Sequence, residues 1–293
     1  MSAPASLPDV VGVLGGGRMG AGIAHAFVLA GCRVVVVERD DAAVVAASDR
    51  IRASLDASVA RGATTAPLPS LVAAVSTTTD ASAFADAGLV IEAVPEDFEM
   101  KRTALRRVET MVAPGAAIAS NTSSISIDAL ADELERPARF LGLHFFNPVP
   151  ASRLVEIVVG TATDAALAAR AADWVDALGK AAVTVRDAPG FASSRLGVAL
   201  GLEAIRLLED GVASAADIDA AMTLGYRHPV GPLETTDLVG LDVRLGIAEY
   251  LHSQLGPRFE PPALLRRLVA EGKLGRKTGE GFYAWTDGEK EIR

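Results

Sequence analysis

Cysteine is almost missing from this chain: Cys32 stands alone among 293 residues. An intramolecular disulfide is therefore excluded, and so is a metal site built only of cysteines. Positive charge is also short, with 28 Lys and Arg against 37 Asp and Glu and a net charge of −9. Such a chain has no general attraction for nucleic acid or an anionic membrane, so an anionic ligand must find a local basic patch. No apolar run reaches the roughly 18 residues that would span a bilayer. The opening MSAPASLPD lacks the charged n-region and apolar core of a secretory leader. The expected setting is the cytoplasm, with neither membrane nor nucleic acid as partner. Apolar residues, in contrast, make up 50% of the chain, enough to fill the cores of one or two domains.

Those apolar residues are patterned. VVGVLGGG, Val10 to Gly17, is a short β-branched run ending in glycines, and RMGAGIAHAFVLAG, Arg18 to Gly31, has helical periodicity closed by a glycine. CRVVVVERD, Cys32 to Asp40, is a second buried strand ending on an acid and completes a βαβ unit. A long helix is expected from Asp41 to Arg61, then a proline loop around Pro67 and Pro69. Further strands are expected at Ala73–Ser76, Gly88–Glu92, Ala116–Ala119, Arg139–Leu143, Arg153–Val158 and Ala181–Val185, mostly separated by helices. Alternation of this kind predicts an α/β fold, a doubly wound, mostly parallel Rossmann-type sheet. After DAPGF, Asp187 to Phe191, helix follows helix with breaks at Gly211, Gly225 and Gly256. The expected division is a dinucleotide-binding domain over 1–187 and an all-helical carboxyl-terminal domain over 188–293.

GGGRMG fits G-x-G-x-x-G through Gly15, Gly17 and Gly20. The motif needs one glycine for the turn, one where backbone meets pyrophosphate and one for helix packing, with helix N-terminal N–H groups facing the phosphates. Here it follows a strand, opens a helix and is followed by Glu38 at the end of the next strand. Glu38 is expected to accept hydrogen bonds from the adenosine ribose hydroxyls and to repel a 2′-phosphate, which favours NAD over NADP. Arg39, next in the chain, is either a solvated surface residue or a partner for that phosphate.

HFFNPVP, His144 to Pro150, sets a histidine among apolar and turn residues. Beside a hydride carrier it has a purpose, because oxidising an alcohol needs a base for the hydroxyl proton. A neutral histidine needs a partner to fix its tautomer and stabilise its protonated form. Glu156, in RLVEIVV, could be folded back beside it by a turn through Asn147 to Pro150, or could be an edge-strand acid facing water.

GxGxxG through Gly20, LVIEAVPE (Leu89 to Glu96), SNTSS (Ser120 to Ser124), LHFFNPVP, LVEIV, APGF (Ala188 to Phe191), GPLETTDLVGLD (Gly231 to Asp242) and GRKTGEGFY (Gly275 to Tyr283) together resemble the L-3-hydroxyacyl-CoA dehydrogenase family. The resemblance runs through nearly the whole chain, in order. HFFNP combined with KTGEGFY points to the 3-hydroxybutyryl-CoA branch, and the chain is too short for the hydratase region of the multifunctional fatty-oxidation enzymes.

The resemblance implies NAD-dependent interconversion of (S)-3-hydroxyacyl-CoA and 3-oxoacyl-CoA, without a metal. It implies His144 as catalytic base and Glu156 as its orienting partner. Asn147 and Ser123 would line the nicotinamide and the reacting end of the substrate, with Ser123 on the C3 oxygen; Ser123 could also be the N-cap of a helix over Ile125–Leu130. Glu96, Lys101 and Lys277 match cofactor-contacting positions, although by pattern Glu96 and Lys101 read as helix-surface charges. Ser54 and Arg61 fall where the family contacts the CoA adenosine and its phosphate. The helical domain would close over the acyl chain and form a homodimer. One position departs from the family: Ser194 stands where many relatives place an asparagine that holds the substrate carbonyl, so it reads as an altered substrate contact. Two rival readings are a dehydrogenase of a free hydroxy acid of the gulonate or carnitine type, which FFNP disfavours, and a non-catalytic NAD-binding structural protein.

Overall fold

The computed structural model describes residues 7–291. The chain divides into two compact units, Met1–Ala188 and Pro189–Arg293.

The first unit opens with β1 (Val10–Leu14), α1 (Arg18–Leu29), β2 (Arg33–Val37) and α2 (Asp41–Ala60). Then come α3 (Leu68–Ala73), β3 (Val75–Thr78), β4 (Leu89–Glu92), α4 (Phe98–Met111), β5 (Ala117–Ser120) and α5 (Ile127–Ala131). It ends with β6 (Phe140–Phe145), β7 (Leu154–Val159), α6 (Ala165–Ala177) and β8 (Ala181–Arg186). Each expected strand is present, with its ends within three residues of those expected. The proline loop differs: it contains α3, because Pro67 precedes the helix and Pro69 sits in its first turn, where a missing N–H costs nothing. Helices α2, α4 and α6 start at Asp40, Asp97 and Asp164, whose carboxylates accept from Ala43 N, Met100 N and Ala166 N. Each cap satisfies an N–H that the helix itself leaves unpaired.

The eight strands form one sheet in the order β3-β2-β1-β4-β5-β6-β7-β8. All neighbours are parallel except β6 and β7, which are antiparallel. Strand order reverses between β1 and β4, and in doubly wound sheets the crevice at such a reversal, beyond the carboxyl ends of the strands, takes the ligand. β1, β4, β5 and β6 all run the same way. Their carboxyl-terminal loops therefore share one edge of the sheet. β1 is buried along its length, and alternate residues of β1 and β2 (Val11, Val13, Val34 and Val36) share one core with Ile23 and Phe27 of α1 and Ile51 of α2.

The second unit contains α7 (Ser193–Glu209), α8 (Ala215–Ala220), α9 (Pro232–Val239), α10 (Leu241–Leu255) and α11 (Ala263–Ala270). Its core joins Leu202 and Ile205 of α7 to Leu233, Leu241, Leu251 and Leu265. The buried Asp237 carboxylate accepts from Phe282 N, Tyr283 N and the Trp285 indole at 2.8–2.9 Å. It thereby ties GPLETTDLVGLD to GRKTGEGFY, two segments far apart in the chain.

Candidate active site

The glycine loop leaves β1 and enters α1. Gly15 has φ +93°, open to glycine but strained for other residues. A Cβ on Gly20 would collide with the Gly15 carbonyl oxygen, whereas one on Gly17 would meet nothing within 4 Å. The loop is thus closed on the helix side and open at Gly17, the N-cap of α1, which no side chain caps. A helix end with exposed N–H groups and no acid in its first turn fits a pyrophosphate. Gly16, which the motif leaves free, also has to be small, because a Cβ there would run into Ala47.

Glu38 sits at the end of β2, where Oε1 accepts from Gly16 N at 2.6 Å and Oε2 from Arg39 N at 3.1 Å. The acid is therefore locked against the glycine loop. Arg39 is largely exposed and its Nε lies 3.0 Å from Asp40 Oδ2. Arg50 also reaches the loop, with Nη1 3.4 Å from the Gly16 carbonyl oxygen.

The loop after β4 is built around a buried ion pair that the pattern of charges hides. Glu92, 0% exposed, and Lys101, 1% exposed, meet at 2.8 Å. Lys101 Nζ also approaches Val94 O at 3.2 Å and Glu96 Oε2 at 3.4 Å, so its three donors face three protein acceptors. Lys101 is accordingly not a surface charge, and its geometry suits positioning Glu96 better than touching a cofactor. Glu92 Oε2 takes the Ser120 hydroxyl at 2.6 Å and Oε1 takes Val94 N at 2.7 Å.

Glu96 in turn grips the loop after β5. Its Oε1 accepts from Thr122 Oγ1 at 2.6 Å, Ser123 N at 2.9 Å, Ser124 N at 3.0 Å and Ser124 Oγ at 3.1 Å. Burial opposes the charge of this carboxyl, but Lys101 and the hydroxyl and N–H donors outweigh it and hold its pKa below the usual range. Ser123 is half-buried in the gripped loop. It is not a helix cap: α5 is capped by Ser126, whose Oγ accepts from Ala129 N at 3.1 Å.

His144 and Glu156 stand directly opposite in the antiparallel β6–β7 pair, on one face as cross-strand partners must be. Both are buried, and His144 Nδ1 lies 2.9 Å from Glu156 Oε2. Glu156 is thus a buried partner of the histidine and not a solvated edge acid. The Phe146 ring packs on the imidazole with centroids 4.4 Å apart. Phe145 N donates to Asn121 Oδ1 at 2.8 Å, which fastens the end of β6 to the SNTSS loop. Asn147 is exposed at the start of the turn.

Ser54 and Arg61 are on and just beyond α2, seven residues and so about two helical turns apart on one side. Between them Ser58 Oγ bonds the buried His25 Nε2 at 2.8 Å. Burial, then the charges of Lys180 and Arg61, lower the pKa of His25 to about 4. In the second unit Lys277 Nζ is 2.6 Å from both oxygens of Asp242, and Ser194 is in the first turn of α7. Glu92, Ser120, Thr122 and Gly16 escaped the reading of the sequence. An acid ending the otherwise apolar strand LVIE was the available signal, since a carboxylate buried there requires a partner.

Family models cover both units: the 3-hydroxyacyl-CoA dehydrogenase NAD-binding domain matches residues 10–188 and the carboxyl-terminal domain of the same family matches residues 190–285. The chain belongs to the 3-hydroxyacyl-CoA dehydrogenase family. It is 43% identical over 279 residues to a 3-hydroxybutyryl-CoA dehydrogenase of Mycobacterium tuberculosis, covering 94% of this chain and 98% of that one. Human mitochondrial hydroxyacyl-coenzyme A dehydrogenase is 40% identical over 285 residues, 94% of this chain and 90% of the relative. The crystal structure of (S)-3-hydroxybutyryl-CoA dehydrogenase from Ralstonia eutropha superposes with a TM-score of 0.90 at 39% identity, over 96% of this chain and all of that one. The protein is an NAD-dependent oxidoreductase of this family, and NAD is the cofactor of its first unit.

Proposed function

We propose that the protein interconverts (S)-3-hydroxyacyl-CoA and 3-oxoacyl-CoA of short acyl length, with His144 as the base. The buried His144–Glu156 contact of 2.9 Å, at the sheet edge that also carries the glycine loop, is the observation that supports it. Gly15, Gly17 and Gly20 hold the pyrophosphate, Glu38 the adenosine ribose, and Glu96 the cofactor side of the SNTSS loop. NAD, when bound, supplies the acceptor for the hydride that leaves C3. His144 Nε2 takes the hydroxyl proton, while Nδ1–H donates to Glu156, whose charge stabilises the imidazolium. Ser123 hydrogen-bonds the C3 oxygen, and its loop is held by Glu96, so the donor is oriented before substrate arrives. Asn147 lines the reacting end, Ser194 contacts the acyl carbonyl, Ser54 and Arg61 take the CoA adenosine and its phosphate, and Lys277 serves the cofactor from the carboxyl-terminal tail.

The working form is a cytoplasmic homodimer. Leu196, Leu224, Tyr226 and Val243 of the second unit are exposed, and apolar surface of this kind suits burial against a second copy. Acetoacetyl-CoA with NADH, followed by absorbance at the nicotinamide band, tests the chemistry. Fast NADH loss is expected. Turnover confined to free hydroxy acids, or NADH binding without turnover, would overturn the assignment.

A further inference from the structure

Lys180 stands between α6 and β8, and its ammonium is committed to main-chain oxygens. Nζ donates to Val149 O at 2.7 Å and to Ser152 O at 2.6 Å, two carbonyls of the turn over 147–152 that joins β6 to β7. Burial lowers its pKa, and among the described residues it has no ion-pair partner. A half-buried ammonium without a counter-ion costs desolvation. What it contributes must therefore lie in the carbonyls that it holds.

The turn has a second anchor. Val149 is 2% exposed, and a Cβ on Gly22 of α1 would stand 2.8 Å from its Cβ, so helix and turn meet at a glycine. Within the turn Pro148 O accepts from Ala151 N at 3.0 Å and from Ser152 N at 2.9 Å. Asn147 opens the turn and is exposed. Its side-chain amide has no hydrogen-bond partner among the described residues, unlike Glu156, which meets His144, and Ser123, whose loop Glu96 grips. Only the backbone can aim it. The register of β6 and β7 places His144 and Glu156 directly, whereas the aim of Asn147 depends on how the turn leaves β6.

We propose that Lys180 is a positioning residue for the reaction: by clamping two carbonyls of the turn it sets the place of the Asn147 amide at the nicotinamide and the reacting end of the substrate. The inference rests on the dehydrogenase reading above, in which Asn147 lines that end. An ammonium suits the task, because its three rotatable donors on a flexible stem can meet two carbonyls at once. Lys180 acts through Asn147 and not on the reacting atoms. A misplacement of about 1 Å near a reacting group can cost on the order of 10²-fold in rate, so a clamp outside the chemistry is still read in kcat.

The test is a double-mutant cycle on kcat with acetoacetyl-CoA and NADH. Lys180→Met keeps the aliphatic stem and removes the donors, and it should lower kcat about 10–100-fold with the circular dichroism unchanged. Asn147→Ala should lower kcat as well, and in that background Lys180→Met should cost less than about threefold more, because the amide that it aims is gone. Hydrogen exchange read by mass spectrometry should be faster over 146–153 in Lys180→Met and unchanged over β1 and β4. A kcat of Lys180→Met within about twofold of the unaltered protein overturns the proposal, as does a normal kcat in Asn147→Ala. An equal loss with and without Asn147 gives the lysine a structural role only and also overturns it. Should Lys180→Met fail to fold, Lys180→Gln carries the same cycle. An unaltered protein that oxidises no NADH with acetoacetyl-CoA marks failure of the dehydrogenase reading instead. The exchange measurement then still decides the clamp: faster exchange confined to 146–153 supports it, and unchanged exchange there refutes it.

Discussion

Replacing Lys101 by methionine isolates the most deeply buried charge in the first unit. Glu92 is 0% exposed and its ion-pair partner is 1% exposed, so the variant strands a carboxylate in the interior. Breaking a buried pair from one side typically costs about 3–5 kcal/mol. Glu92 would keep the Ser120 hydroxyl and Val94 N–H, which places the expected cost at the lower end, about 3 kcal/mol. Glu92→Gln combined with Lys101→Met removes both charges while an amide oxygen can still accept, and should recover at least half of that loss. Urea unfolding followed by circular dichroism measures the double variant and both singles, Lys101→Met and Glu92→Gln, and the coupling should reach about 2 kcal/mol. A lysine acting mainly on the cofactor predicts the opposite pattern, with stability unchanged and NADH affinity reduced. A loss below about 1 kcal/mol for Lys101→Met, or a double variant as unstable as the sum of the singles, would refute the argument.

His144→Ala should lower kcat by about 10²–10⁴-fold with NADH affinity near normal; near-normal kcat would remove His144 from the chemistry. Glu156→Gln should also lower kcat, and adding it to His144→Ala should cost little more. Glu38→Ala should erode the preference for NADH over NADPH, and a higher kcat/KM with NADPH in the unaltered protein would show that Arg39 was the informative residue. Between pH 6.5 and about 4 the unfolded chain takes up a proton at His25 that the folded chain resists, so stability falls as pH falls through this window. The full shift corresponds to about 3 kcal/mol, and His25→Gln should flatten that part of the pH profile of chemical unfolding. An unchanged slope would assign the acid sensitivity to other groups.

Features set by neighbours in the chain were legible. The glycine loop and the two strands flanking it follow from local periodicity and turn residues, whereas spacing alone left Glu156 open between a partner of His144 and a solvated edge acid, and only the family resemblance favoured the pairing. Lys101 was not, because FEMKRTALRR reads as a solvated helix and only the docking of α4 onto the sheet puts its ammonium inside, against Glu92. The choice of Ser126 and not Ser123 as the cap of α5 is similarly remote, since Glu96 holds Thr122, Ser123 and Ser124 from 26 to 28 positions earlier. Arg244 on α10 is buried, yet GLDVRLG gives no sign of it, since the arginine there has the spacing of an ordinary helical surface residue.

The facing of His144 and Glu156 across β6 and β7 also limits how this gene can change in length. Side chains alternate between faces at every residue of a strand, so one inserted or deleted codon within 145–155 that shifts the pairing by one position turns the carboxylate to the far side of the sheet. A two-codon change restores the face but slides the acid by about 6.5–7 Å, beyond hydrogen-bond reach. Length variation between these strands survives only where the turn absorbs it as a bulge or a longer loop without moving the ladder.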